Sequence, residues 1–411
     1  MLVITHGLHY GGAQVSTIEF LRLIKNFVDV NVVVCMDADK IFVRNLLELG
    51  VPVRPVPYRL VMGYPDLAVE GISGIIKWAD VVWIGDESYC VATRIKKIKD
   101  TPIVAHLHSY ALICPIWSAL YGLKEVCSKK CSFLRIVRCK QELNLRYAEI
   151  GIYNLLTASI NAILDLVKGP TDYCIWQCIL RRVLKNIENF VAVSNAMRNI
   201  YLLHMSNLTD KNLTVIYNPV TMPLRYVNFS SKVSSQDYVL YASGSQPIKG
   251  PHILLTAWKE IFEKHKDSKL YMVGCKGSWV EKKAKKLNLK GVVLLNRLPP
   301  EKLYSIMSKA KVVVMPSILP EPFGRLAAEG NVLGIPALVS NIGGLPEAIE
   351  PDITGYLTTP GNPLSLADTL DKAMSKNFSR ELIQARTFER FDKEKLMKQF
   401  LNFLQDTMTC A

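Results

Sequence analysis

Thirteen short runs of β-branched and aliphatic residues recur along the chain, each separated from the next by enough residues for a helix or a connector. In the first half they are Leu2–Thr5, Val30–Cys35, Val51–Val53, Asp80–Ile84, Pro102–Ala105, Phe190–Val193 and Leu213–Ile216. In the second they are Tyr238–Tyr241, Lys269–Val273, Gly291–Leu295, Lys311–Met315, Ala337–Ser340 and Gly355–Thr358. Most are continuously apolar, as strands covered on both faces must be. The intervening stretches carry helical stripes, such as Phe20, Leu21, Leu23, Ile24 and Phe27. Strand–helix alternation of this kind predicts parallel sheets with helices on both sides. The fold class is therefore α/β with two Rossmann-like halves.

Asn218-Pro219-Val220-Thr221-Met222-Pro223 breaks the alternation and reads as an extended connector, because proline disfavours helix at the residue before it. The expected domains are 1–220 and 221–389, with a helix of about 390–411 returning to the first. Residues 109–188 interrupt the rhythm of the first domain as an insertion holding six of the ten cysteines. A chain of 411 residues is long enough for two such domains. The longest uncharged apolar-rich run, Ile150–Leu164, is 15 residues, short of the roughly 20 that a membrane span needs. No basic leader with an apolar core opens the chain, and the cysteines are too sparse for a disulfide scaffold. The expected setting is the cytoplasm.

The segment Pro316–Glu329 follows one buried strand and leads into a helix. Ligands of parallel α/β sheets bind at the carboxyl ends of strands, so Glu321 would sit in a binding loop. The backbone N–H groups of Phe323, Gly324 and Arg325 would be first-turn donors suited to a phosphate or to sugar hydroxyls. Glu329, one to two turns along, could accept both hydroxyls of a ribose diol. The alternatives are a solvated Glu at a helix start, favoured by the dipole, for Glu321 and an ordinary helical Glu for Glu329.

Ser243–Gly250 is a second strand-to-helix loop, carrying Lys249. A cation at a helix N-terminus is unfavourable on its own, and a bound diphosphate removes that penalty. Gly11 and Gly12 open the first helix and allow close backbone approach to a ligand. The surrounding sequence is neither GxGxxG nor GxxxxGK[ST], which excludes a P-loop and weakens a nicotinamide-nucleotide reading. His106 and His108 end a strand and face one side of it; a structural histidine is the competing reading for at least one of them.

With these residues together, the sequence resembles the retaining family 4 glycosyltransferases. Glu321 and Glu329 form the E-x7-E motif of that family. Lys249-Gly250, Gly11-Gly12-Ala13, Val193-Ser194, Asn218-Pro219, Gly334-Ile335-Pro336, Gly343-Gly344-Leu345-Pro346-Glu347 and Gly355 fall in the family's order. The resemblance spans nearly the whole chain and is densest over Tyr238–Leu357. It implies a GT-B fold, with parallel sheets of two domains facing across a cleft, and transfer of sugar from a nucleotide-diphosphate sugar to a hydroxyl acceptor with retention.

The roles implied are these. Glu321 contacts the transferred sugar and supports charge at the reacting centre; Glu329 binds the ribose; Phe323–Arg325 hold sugar and phosphate through the backbone. Lys249 neutralises the diphosphate, the Gly11-Gly12 turn caps it, and His108 lies near the donor sugar, with His106 the runner-up. Similar enzymes need no metal or other cofactor for donor binding. Many members carry Gly-Arg a few positions before the lysine; here Ser243-Gly244-Ser245 stands there, so either Arg325 or the hydroxyls of Ser243 and Ser245 take over. Attack from the front face, with the departing diphosphate accepting the acceptor's proton, is the route the family implies.

Cys127-x3-Cys131 and Cys174-x3-Cys178 have metal-like spacing, with Cys114 and Cys139 nearby. Burial as small apolar side chains is the competing reading. The net charge of +14 calls for anionic partners. Residues 121–140 carry six Lys/Arg and one Glu, a net of +5, beside the amphipathic stretch Ile150–Leu164 with Ile152, Leu156, Ile160, Ile163 and Val167 along one stripe; a solvated charge run beside a core helix is the competing reading. That combination suits an anionic membrane surface at the cytoplasmic face, and the family's acceptors are often lipid-linked. The alternatives are a sugar-nucleotide epimerase or phosphorylase on the same fold, or a basic nucleic-acid-binding protein. The last lacks zinc-finger, RNP and KH motifs, and its charge is not interleaved with aromatics, so no nucleic-acid partner is expected.

Overall fold

The computed structural model describes residues 1–5, 12–35, 40–56, 58–61, 64–67, 69–85, 88–114, 116, 118–121, 125–149, 155–205, 208–209, 211–220 and 237–409. Gly11 and the connector residues Thr221, Met222 and Pro223 lie outside them. The chain divides into two compact units. One holds Met1–Lys140, Ala162–Pro219 and Asp392–Ala411; the other holds Gln141–Asn161 and Val220–Phe391.

The first unit contains a seven-stranded parallel sheet in the order Leu213–Val215, Asn189–Ala192, Ile103–Leu107, Val82–Ile84, Leu2–Thr5, Asn31–Cys35, Val53–Val56. The second contains a six-stranded parallel sheet in the order Val292–Leu295, Lys269–Val273, Tyr238–Tyr241, Val312–Met315, Ala337–Ser340, Gly355–Thr358. These account for all thirteen expected runs. In both sheets the strand order reverses beside the first strand, the doubly wound arrangement in which ligands bind at the reversal. In the second unit that reversal lies between Tyr238–Tyr241 and Val312–Met315, paired through Val239–Val312 and Leu240–Val313.

Burial explains the strands. Val312, Val313 and Val314 are wholly inaccessible, as are Val239, Leu240 and Tyr241. Trp258 and Leu254 of the helix Pro251–Ile261 pack with Leu366 and Leu370 of the helix Pro363–Ser375 over one face. In the first unit the helix Lys393–Thr409 packs on the helix Gly12–Ile24. Phe400 is its anchor, with its ring centroid 4.8 Å from that of Phe20 and 5.0 Å from that of Trp83. The stripe expected from Phe20 to Phe27 is shorter than its spacing suggests. The helix stops at Ile24, and Phe27 is in the following turn and exposed.

The region 109–188 folds as two helices, Phe133–Glu149 and Leu155–Asn186, after a two-residue strand pair. Leu120–Tyr121 and Glu125–Val126 form that pair, and Tyr58–Val61 and Tyr64–Leu67 form another antiparallel hairpin that the strand count missed. No helix among the described residues is long and apolar enough to cross a membrane.

Candidate active site

The loops that follow the two central strands of the second unit are built against each other. Gly250 adopts φ +72°, and a Cβ placed on it would lie 1.9 Å from the carbonyl oxygen of Pro316. Only glycine fits there. The backbone N–H of Ile318 donates to the carbonyl of Ile248 at 2.9 Å. Lys249 is therefore clamped between two backbone contacts to the loop that carries Glu321.

Lys249 Nζ donates to both carboxylate oxygens of Glu321, at 2.7 and 2.8 Å. Ser317 Oγ donates to the same carboxylate at 2.6 Å. Ser317 is wholly buried. No role for Ser317 was legible in the Pro-Ser sequence. The backbone of Glu321 is held from the far side: Gly344 N–H donates to its carbonyl at 2.7 Å, and Gly343 pairs with it as a bridge. Gly343 has φ +59°, and a Cβ on it would stand 2.6 Å from the Glu321 carbonyl oxygen. The Gly343-Gly344 pair is thus a seat for Glu321.

The helix Arg325–Val332 starts from Gly324. A Cβ on Gly324 would meet the Ala348 side chain at 2.6 Å, so close packing fixes the helix entry. Phe323 is buried edge-on against Phe391, with centroids 5.4 Å apart. Arg325 Nε lies 2.7 Å from Glu329 Oε1, and both side chains are nearly buried. The cation that the sequence offers as a diphosphate ligand is thus paired, in this structure, with the acid four residues along.

Ser243 precedes Gly244, which takes φ +74°. Tyr241 Oη donates to the Gly244 carbonyl at 2.7 Å, and Trp279 Nε1 donates to the Ser245 carbonyl at 2.7 Å. This pins the loop from both sides. Burial, followed by the charges of Cys275 and Glu321, pushes the Tyr241 phenol well above its usual range.

In the first unit Gly12 opens its helix, and among the described residues outside its own turn nothing stands within 4 Å of the position its Cβ would take. Packing therefore does not require glycine there. His106 is wholly buried among Phe20, Trp83 and Phe400, and its ring lies tilted against that of His108, with centroids 4.3 Å apart. Burial, and then the neighbouring His108, lowers the His106 pKa well below the ordinary value. His106 is a neutral core residue; His108, half-buried, is the outer of the two. Ser194 caps the helix Asn195–His204 by accepting from Met197 N–H at 3.1 Å.

The cysteine pairs separate. Cys127 and Cys131 line a small cavity of about 20 Å³ with Cys114, Cys139, Arg135 and His204. Arg135 donates to Cys127 Sγ at 3.2 Å, and burial pushes the Cys131 thiol up to about 12. Cys174 and Cys178 are exposed on the helix Leu155–Asn186. The spacing that groups them with Cys127 and Cys131 is helical periodicity. Among the described residues no three Cys, His, Asp or Glu side chains form a metal-binding set.

Residues 226–390 match the family model described as Glycosyl transferases group 1, so the second half carries a domain of that kind. Among curated proteins, the chain is 28% identical to the uncharacterized glycosyltransferase MJ1607 of Methanocaldococcus jannaschii over 221 residues, 49% of this chain and 56% of that protein. It is 34% identical to a D-inositol 3-phosphate glycosyltransferase of Corynebacterium urealyticum over 145 residues, 33% of this chain and 34% of that one. The chain thus spans between a third and about half of the length of these relatives. Among solved structures, Anabaena Alr3699/HepE in complex with UDP-glucose superposes with a TM-score of 0.70 at 18% identity, covering 98% of this chain and 99% of that one. WaaG, a glycosyltransferase involved in lipopolysaccharide biosynthesis, gives 0.61 at 14% identity, with 98% and 99% covered. The fold is GT-B.

Proposed function

We propose that this chain is a retaining glycosyltransferase that moves a hexosyl group from a nucleoside-diphosphate sugar to a hydroxyl of a glycan or lipid-linked acceptor. The observation that carries the reading is the convergence of Lys249, Glu321, Arg325 and Glu329 at the reversal of the second sheet. Lys249 and Glu321 pair across the loops that follow its central strands, and Arg325 and Glu329 pair on the helix that follows the second of these loops, offering partners for a diphosphate, a sugar and a ribose. The HepE complexes hold UDP and UDP-glucose, which makes a uridine donor the first to test.

In this reading Lys249 turns from Glu321 to the diphosphate. Glu321, seated by Ser317, Gly343 and Gly344, takes the hydroxyls of the transferred sugar. Glu329 takes the ribose diol, and the backbone of Phe323–Arg325 and the Ser243 loop complete the donor site. Gly11, Gly12 and His108 enter as donor-side residues on sequence resemblance alone. The bond from the sugar C1 to the diphosphate oxygen breaks and a bond from C1 to the acceptor oxygen forms on the same face. The acceptor's proton passes to the departing diphosphate. Lys249, Arg325 and the helix start supply the positive charge, so donor binding needs no metal or other cofactor.

Residues 1–220, with 390–411, are assigned to the acceptor and 221–389 to the donor, in a cytoplasmic enzyme. Thermal-shift titration with UDP, GDP, ADP and their sugars tests this. Stabilisation by one nucleoside diphosphate, lost in Glu329→Ala, is expected. No response to any of them overturns the donor assignment.

A further inference from the structure

The helix Leu155–Asn186 has one buried face and one bare one. Trp176 and Val183 lie on the buried face, and Trp176 Nε1 donates to the Ala111 carbonyl at 3.2 Å. On the opposite side Leu156, Ile160, Ile163 and Val167 follow one another at spacings of 4, 3 and 4. They are 69%, 49%, 62% and 71% exposed. Leu164 and Leu166 flank them, also exposed. Half of the 18 large apolar side chains that the described residues expose fall between Leu134 and Ile175. Scattered single exposures are ordinary; a continuous stripe marks an interaction surface.

Charge says what covers it. Lys168 adjoins the stripe and is exposed. The preceding helix, Phe133–Glu149, exposes Leu134, Arg138 and Leu145 along one of its own faces, and Lys129 and Lys130 just before it are exposed. Asp165, an acid within the stripe's span, points to the other side and pairs with Lys140 at 3.4 Å. An exposed apolar stripe with Lys168 beside it, on a helix not long and apolar enough to span a membrane, suits contact with the surface of an anionic bilayer. A second copy of the chain is the competing occupant. The four stripe residues make fewer than two heptads before Thr171 and Cys174 replace aliphatic residues, whereas a coiled coil takes about three or four.

We propose that the exposed apolar residues Ile163, Leu164, Leu166 and Val167 of this helix are a membrane-docking surface for anionic lipid, assisted by Lys129, Lys130 and Arg138 of the same unit. The proposal stands independently of the donor site. Full-length protein is centrifuged with vesicles of phosphatidylcholine alone and of phosphatidylcholine with phosphatidylglycerol, at low and high salt. Binding to the anionic vesicles that salt weakens is expected. Ile163→Ser with Val167→Ser should reduce it about tenfold or more. Lys129→Gln with Lys130→Gln should reduce it without altering light-scattering mass or the thermal transition. No binding to anionic vesicles at low salt overturns the proposal. So does a dimer, seen by light scattering, that Ile163→Ser with Val167→Ser converts to monomer.

Discussion

Lys249 and Glu321, 72 residues apart in sequence, form a two-oxygen ion pair at 2.7 and 2.8 Å across the loops of adjacent strands. On the proposed reading, a diphosphate entering the site competes with the Glu321 carboxylate for the same ammonium group. Glu321→Gln removes the competitor and keeps the side chain's shape. It is expected to bind nucleoside diphosphate at least as tightly as the parent while losing turnover by a factor of a hundred or more, roughly the scale of a lost charged contact in a transition state. Lys249→Ala should weaken diphosphate binding by about ten- to a hundredfold, the scale of a charged hydrogen bond. Calorimetric titration beside steady-state kinetics separates the two. Weaker nucleotide binding in Glu321→Gln than in the parent would falsify the competition.

Arg325 and Glu329 form the second pair of the site. A cation in the first turn of a helix opposes the helix dipole, so its retention there calls for an anion nearby. Glu329 supplies one in this structure. Arg325→Leu is expected to raise the KM for the donor more than it lowers kcat, because it both removes a cation and frees Glu329, the acid proposed to take the ribose. Arg325→Lys should restore part of the loss. Unchanged donor affinity and turnover in Arg325→Leu would remove the residue from donor binding.

Much of this was legible in the chain. The thirteen apolar runs map onto both sheets because parallel strands buried on two faces leave an unbroken hydrophobic signature. The strand-to-helix pattern of Pro316–Glu329 placed Glu321 in a loop and Glu329 on a helix. Pairings between distant loops left no local trace: nothing near Lys249 announces Glu321, and Ser317 looks like any loop serine. Local periodicity misled where helix length was at stake. Phe27 keeps the stripe's spacing but lies past the helix end, and Cys174 and Cys178 share ligand spacing with Cys127 and Cys131 only because a helix repeats every 3.6 residues. The exposure of Leu156–Val167 was undecidable from sequence, since a core stripe and a surface stripe have the same period.

Gly250 offers a test of how the pair is built. Its positive φ and the Pro316 oxygen 1.9 Å from any Cβ leave no room for alanine. Gly250→Ala should cost about 1–3 kcal/mol from backbone conformation alone, with the clash added to it. The loop must then retreat from Pro316 and carry Lys249 with it, so donor KM rises along with the fall in thermal midpoint. Gly12→Ala, where a Cβ meets nothing within 4 Å among the described residues beyond its own turn, is the matched control and should leave the midpoint nearly unchanged. A midpoint for Gly250→Ala equal to the parent's would mean that the two loops are not packed as described.

His106 predicts a pH dependence of stability. Its ring is wholly buried against Phe20, Trp83 and Phe400, and its pKa is held well below 6.5 by burial and by His108. The unfolded chain therefore binds a proton at this site before the folded one does. Above about pH 6.5 neither state is protonated and the residue adds no pH dependence. As pH falls below 6.5, the unfolded state gains the proton and stability declines by up to about 1.4 kcal/mol per pH unit, until the lowered folded pKa is reached. Chemical denaturation between pH 8 and pH 5 measures the slope. His204 is also depressed, by burial first, and contributes to the same window, so the difference between parent and variant is the informative quantity. His106→Phe, which suits the aromatic cluster, should remove the His106 share of the slope while keeping the helix Lys393–Thr409 docked through Phe400. An identical slope in parent and variant would show that His106 already carries its proton, or loses burial, in the folded state.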